Sequence, residues 1–128
     1  IIRTTEAFSL GTLYFSPETP YINNKQVKDA AMGAEKWITC SNNIGLDNLP
    51  KPIILLETCS EAIPLHNYLF PESFTLVIGN EEYGCSDTSL EKADYIVEIQ
   101  LRGRKNSLNV ANAYAIAAAE ISRQRGSS

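Results

Sequence analysis

Few side chains in this chain are equipped for chemistry, and most of them fall in its second half. Gly79 and Gly84 have the G-x-x-x-x-G spacing of a phosphate-binding loop, but Cys85 and Ser86 follow where such a loop needs lysine and then serine or threonine. Nucleoside-triphosphate hydrolysis is therefore excluded for this loop. Arg102, Arg104 and Lys105 place three cations within four residues. Ser107 and Asn109 are a polar pair at the head of an apolar helical stripe, where side-chain oxygens and free backbone N–H groups coincide. Helix capping is the alternative role for both. His66 is the single histidine, so no histidine-based triad or metal cluster can be assembled. Cys85 next to Gly84 reads as a small apolar residue rather than a nucleophile.

The elements that must position these residues are two apolar runs ending in glycine-bearing loops. Residues 74–78 read as a buried strand stopping at Gly79, and 95–101 as a second strand stopping at Gly103. Side by side in a parallel sheet, these strands would bring uncovered backbone groups together at one sheet edge, where ligands of such folds bind. Residues 52–57 form a third, solidly apolar strand, and 12–15 and 37–40 are shorter ones. Helices are expected at the start, ending at Ser9-Leu10-Gly11, over 25–34, over 88–93 after Ser86 or Asp87, and over 107–125. In the last, Val110, Tyr114, Ala117, Ala118 and Ile121 share one face, and Asn106 or Ser107 is the expected cap. Residues 41–48 are polar with room for one helical turn, and 61–70 read as a loop. Predominantly buried strands in this order call for an α/β sandwich around a parallel sheet.

At 128 residues with 44% hydrophobic and 20% charged residues, the chain is of ordinary globular composition and about one domain in size. A net charge of -4 and a pI near 5.0 argue against a basic surface that coats nucleic acid. Any nucleic-acid contact is local, and Arg102, Arg104 and Lys105 are its candidates. Cys40, Cys59 and Cys85 form no C-x-x-C pair and fit free thiols in a reducing, cytoplasmic setting. No apolar run approaches the ~18 residues a membrane span requires. Residues 126–128 read as a frayed tail, leaving 1–125 as the domain.

The loop pair Gly79-Asn80-Glu81-x-x-Gly84 and Ile99-x-x-x-Gly103-x-x-x-Ser107-Leu108-Asn109-Val110 resembles the second and third motifs of the SpoU (TrmH-type) RNA ribose methyltransferases, of the SPOUT class. Ile2-Arg3-Thr4-Thr5-Glu6-Ala7-Phe8 is similar to the latter part of that family's first motif, so the motif's strand and terminal asparagine are expected upstream of Ile1. Three motifs in family order span nearly the whole chain. Ser9 stands where a glycine is usual, Gln100 where a proline is, and Leu101 where a methionine is.

The resemblance implies a parallel-sheet α/β sandwich closed by a C-terminal trefoil knot, and 2′-O-ribose methylation of structured tRNA or rRNA by a homodimer. It implies S-adenosylmethionine as the methyl donor, with no metal. The main chains of Gly79, Ile99 and Leu108 would hold the donor's adenine, with Leu56 and Leu101 contributing. Arg3 would orient the ribose hydroxyl and stabilise the developing alkoxide, since a guanidinium is a poor base at neutral pH. Glu81, Ser107 and Asn109 complete the implied catalytic set. The last helix carries many alanines, which would allow the close approach that threading needs; alanine's helix propensity explains them equally well. Two other readings remain, a knotted RNA-binding or assembly module without activity and a flavodoxin-like small-molecule binder.

Overall fold

The computed structural model describes residues 1–8, 10–15, 33, 40–42, 46–79, 87–103 and 109–126. Two compact units divide the chain, Ile1–Gly45 and Leu46–Ser128.

In the first unit, helix α1 (Ile2–Ala7) is held at its start by Thr5, whose N–H and Oγ1–H both donate to the Ile1 carbonyl at 2.9 and 2.8 Å. Its end is closed by the Leu10 N–H donating to the Thr5 carbonyl at 3.0 Å. Gly11 then takes φ +101°, a left-handed turn that glycine adopts without Cβ strain, as the expected stop required. Strand β1 (Leu13–Phe15) pairs in parallel with β2 (Cys40–Asn42), Leu13 opposite Cys40 and Phe15 opposite Asn42. The strand expected over 37–40 thus extends into the polar stretch. Ladder pairing with β1, not side-chain apolarity, sets its position. Residues 37–39 and the helix expected over 25–34 lie outside the described residues, apart from Gly33 at φ +88°.

The second unit is built on strand β3 (Ile53–Leu56). Ile53, Ile54 and Leu55 are each 0% exposed, so both faces of the strand are covered, and each side chain contributes about 1.5–3 kcal/mol by burial. Two residues, β4 (Ile63–Pro64), and a following 3-10 turn, Leu65–Asn67, occupy the segment expected to be loop. Pro64 lies on an edge strand, where its missing N–H costs no ladder bond. Strands β5 (Thr75–Ile78) and β6 (Tyr95–Glu98) complete a four-stranded, all-parallel sheet in the order β4-β6-β3-β5. Strand β6 ends three residues earlier than its apolar run.

Between β5 and β6, helix α2 (Asp87–Lys92) packs against β3 and against the 3-10 turn Leu46–Asn48. The Asp94 carboxylate then ties the chain back, Oδ2 accepting from the Ile53 N–H at 2.7 Å while the Asp94 N–H donates to the Ile53 carbonyl at 2.7 Å. Helix α3 (Val110–Arg125) buries Tyr114, Ala117, Ala118 and Ile121, the stripe read from its spacing, with Val110 half-buried. Its cap differs from the expected Asn106 or Ser107. Asn109 Oδ1 accepts from the Ala111 and Asn112 N–H groups at 2.9 and 3.3 Å. Ala117 closes the core between helix and sheet with Ile54, Leu65 and Val97.

Candidate functional site

Parallel pairing brings the C-terminal ends of three strands level. Leu56 is in register with Ile78 on one side and Val97 on the other. The Glu57 N–H continues that ladder, donating to the Val97 carbonyl at 3.0 Å. Gly79 therefore leaves the sheet on one flank of Leu56 and Glu57, and Ile99 leaves it on the other. This corrects the sequence reading, which set the ends of β5 and β6 next to each other. The physical reason is burial: β3 is the strand covered on both faces, and it takes the centre of the sheet.

The side chains at this edge are already committed. Leu56 and Ile99 are half-buried and both pack against the core of Ile54, Leu65, Val97 and Ala117. Gly79 has no side chain to present. Adjacent backbone donors and acceptors on a fixed frame suit a planar heterocycle such as adenine, which needs both. Gly103 is exposed, and among the described residues a Cβ there would meet nothing within 4 Å. Leu101 is half-buried and Arg102 exposed.

Asn109 sits at the head of α3, its side-chain oxygen engaged in the cap. Arg3 lies in α1, in the other unit. Glu81, Arg104, Lys105, Ser107 and Leu108 lie outside the described residues. The structure thus brings Leu56, Gly79 and Ile99 together at one sheet edge, with Leu101 and Arg102 on the segment that follows Ile99.

An open groove of about 410 Å³ runs beside that segment, between it, the 3-10 turn Leu65–Asn67 and α3. Leu65, Ile99, Ile116 and Ala119 supply its apolar lining, and His66, Gln100, Arg102 and Arg123 its polar one. Glu120 also lines it and is firmly held. Arg123 Nε and Nη2 donate to its two carboxylate oxygens at 2.9 and 2.7 Å, and Gln124 Nε2 donates at 2.8 Å. These bonds, the arginine's first, pull the Glu120 carboxyl down to about 2 and push the Arg123 guanidinium up. Neither His66 nor Glu120 belongs to a motif, and only the fold places them in one groove. Glu57 closes the apolar run in the sequence, and an acidic residue directly after a buried strand is the signal that marks the strand's end. Among the described residues, no group of three His, Cys, Asp or Glu side chains could hold a metal ion.

The SpoU rRNA Methylase family profile matches residues 1–119. An uncharacterized tRNA/rRNA methyltransferase of Synechocystis is 30% identical over 98% of this chain and 34% of its own length. The 23S rRNA (guanosine(2553)-2′-O)-methyltransferase of Bacillus subtilis is 30% identical over 91% of this chain and 49% of its own. The chain thus spans half or less of these curated relatives. Among solved structures, the SpoU methyltransferase AviRb of Streptomyces viridochromogenes, in complex with the cofactor AdoMet, superposes with a TM-score of 0.83 at 24% identity, covering 100% of this chain and 55% of that one. The A. aeolicus TrmH/SpoU tRNA modifying enzyme gives 0.78 at 24% identity, covering 97% and 66%. At these identities the superpositions establish the SpoU/TrmH fold.

Proposed function

This chain belongs to the SpoU rRNA methylase family, and from that premise we propose that it transfers a methyl group from S-adenosylmethionine to a ribose 2′-hydroxyl of structured tRNA or rRNA. The observation that carries the reading is the meeting of Leu56, Gly79 and Ile99 at one end of the parallel sheet, where Gly79 has no side chain and Leu56 and Ile99 pack theirs partly against the core. Relatives named as 2′-O-methyltransferases of tRNA and rRNA support the substrate class. The trefoil knot is part of this proposal.

When bound, the donor supplies a methyl carbon on a sulfonium, whose C–S bond breaks as the ribose oxygen attacks in line. The chain's own task is to hold and orient. Gly79, Ile99 and Leu108 bind adenine through main-chain groups, with Leu56 and Leu101 beside them. Asn109 fixes the start of α3. Arg3 orients the hydroxyl and stabilises the oxygen as it loses its proton, while Glu81 supports the loop after Gly79. Alignment of two reactants is worth several orders of magnitude in rate, so a site made mainly of main chain and positioning groups is sufficient. Arg102, with Arg104 and Lys105, meets RNA phosphate.

A homodimer belongs to the same reading. Ile116, 43% exposed on α3, and its neighbour Ala119 form an apolar strip that a second copy would cover. No described helix is long and apolar enough to cross a membrane, and a cytoplasmic location follows from the proposed RNA substrate. The test is transfer of labelled methyl from S-adenosylmethionine to tRNA or rRNA by the purified full-length protein. The label should appear in dinucleotides resistant to alkaline hydrolysis, the mark of a 2′-O-methyl group. A folded protein that labels no cellular RNA would refute the reading.

A further inference from the structure

Leu69 is 84% exposed, the most of any large apolar side chain among the described residues. Its neighbours Tyr68 and Phe70 are half-buried and pack against the core, so the residue between them, following an extended Tyr68, points away from it. The leucine stands on a fixed backbone. Gln124 takes one main-chain group on each side of it, the Tyr68 carbonyl at 2.8 Å and the Phe70 N–H at 2.9 Å. Gln124 Nε2 also donates to Glu120 Oε2 at 2.8 Å, and Glu120 lines the open groove about one helical turn from Ile116. Between Ile116 and Gln124 the helix advances by only about 12 Å, so the protruding leucine and the groove fall within one patch of the size that a protein contact covers.

We infer that Leu69 of one copy of this chain enters the groove of a second copy, which returns its own Leu69 to the first. The inference rests on the homodimer in the reading above and names the contact that makes it. A two-fold interface sets the same patch on both sides, so a protrusion is met by a concavity elsewhere on that patch. The groove supplies an apolar lining of Leu65, Ile99, Ile116 and Ala119, and its volume of about 410 Å³ is room for a branched aliphatic side chain. Its carboxylates and guanidiniums balance, Glu98 and Glu120 against Arg102 and Arg123. That balance suits a patch placed against its own copy, where a net charge would repel. A polyanion such as RNA calls for an excess of cations instead.

Sedimentation velocity of the full-length protein over a concentration series measures the dimer constant. Leu69→Asp should weaken the dimer by on the order of a hundredfold, since each dimer loses the cover of two leucines. Leu69→Met keeps the apolar volume and should leave the constant nearly unchanged. Leu90→Asp puts the same charge on another exposed leucine, on α2 and outside the groove, and should change nothing. The contact itself is read by mixing a Leu69→Cys chain with an Ala119→Cys chain under mild oxidation. A disulfide between those two positions, identified by peptide mass, should form across copies. A dimer that Leu69→Asp leaves intact, that Leu90→Asp weakens equally, or that yields no such disulfide overturns the inference. Loss of RNA binding by Leu69→Asp with the dimer unchanged gives the leucine to RNA and overturns it as well. An unmodified protein that stays monomeric fails the homodimer reading itself, a result distinct from the others.

Discussion

Gln124 and Phe70 are joined across 54 residues of sequence, the Phe70 N–H donating to Gln124 Oε1 at 2.9 Å. The same side chain's Nε2 donates to the Tyr68 carbonyl at 2.8 Å, so one amide from α3 holds both backbone groups of the segment leading into β5. Arg125 adds a bond to the Glu72 carbonyl at 3.0 Å and lies over the Phe74 ring at 5.4 Å. The last turn of α3 thereby fixes the approach to the strand that ends at Gly79. Gln124→Ala should destabilise by about 1–3 kcal/mol, because it strands two half-buried backbone groups. Urea denaturation would show this as a lower midpoint at unchanged slope.

Ala117 is 0% exposed and lies against Ile54, Leu65 and Val97. Ala117→Leu adds volume where none is available and should cost about 1–3 kcal/mol. Ala111, on the same helix and outside the strip of Ile116 and Ala119, is exposed, and Ala111→Leu should leave the urea midpoint nearly unchanged. The pair separates two explanations for the alanine-rich helix. Close packing predicts the difference; helix propensity alone predicts similar small losses at both sites.

Asn109→Ala removes the acceptor for two N–H groups at the head of α3 and should cost about 0.5–2 kcal/mol. Amide exchange at Ala111 and Asn112 should accelerate. Asn109→Asp retains the cap and should restore protection.

The Glu120 carboxyl is held at about 2 in the folded chain, against an ordinary value of 4.5. A lowered acid constant means that the bonds to Arg123 and Gln124 contribute fully above pH 4.5 and are lost as pH falls towards 2. The unmodified protein should therefore lose stability over that interval relative to Glu120→Gln, and the two curves should run parallel above it. Thermal melts from pH 2 to 7 would show whether they converge.

Arg102 is exposed on the segment after β6, and Arg102→Ala should weaken RNA binding while sparing the fold. If the guanidinium meets one phosphate, the slope of log affinity against log salt should fall by about 0.7–0.9. An unchanged slope would remove Arg102 from the RNA surface.

Much of this fold is legible in local pattern. Residues 53–56 and 75–78 are strands because apolar, β-branched runs bounded by glycine and proline leave little choice. The face of α3 that buries Tyr114, Ala117, Ala118 and Ile121 follows from helical spacing. The motifs around Gly79 and Ile99 carry the resemblance to the family, whose profile matches residues 1–119.

Other features were settled only by long-range pairing. Strand β4 is two residues containing a proline, a pattern indistinguishable from loop until β6 lies beside it. Three polar residues, Asn106, Ser107 and Asn109, were able to begin α3, and the cap geometry selects Asn109. Above all, β3 stands between β5 and β6, which turns Leu56 and Glu57 from the end of an apolar run into the middle of the proposed site. Propensity and spacing act over a few residues and so determine which elements form. The order of strands depends on ladder bonds and buried area between segments 22 to 41 residues apart, energies that exist only once the chain has folded.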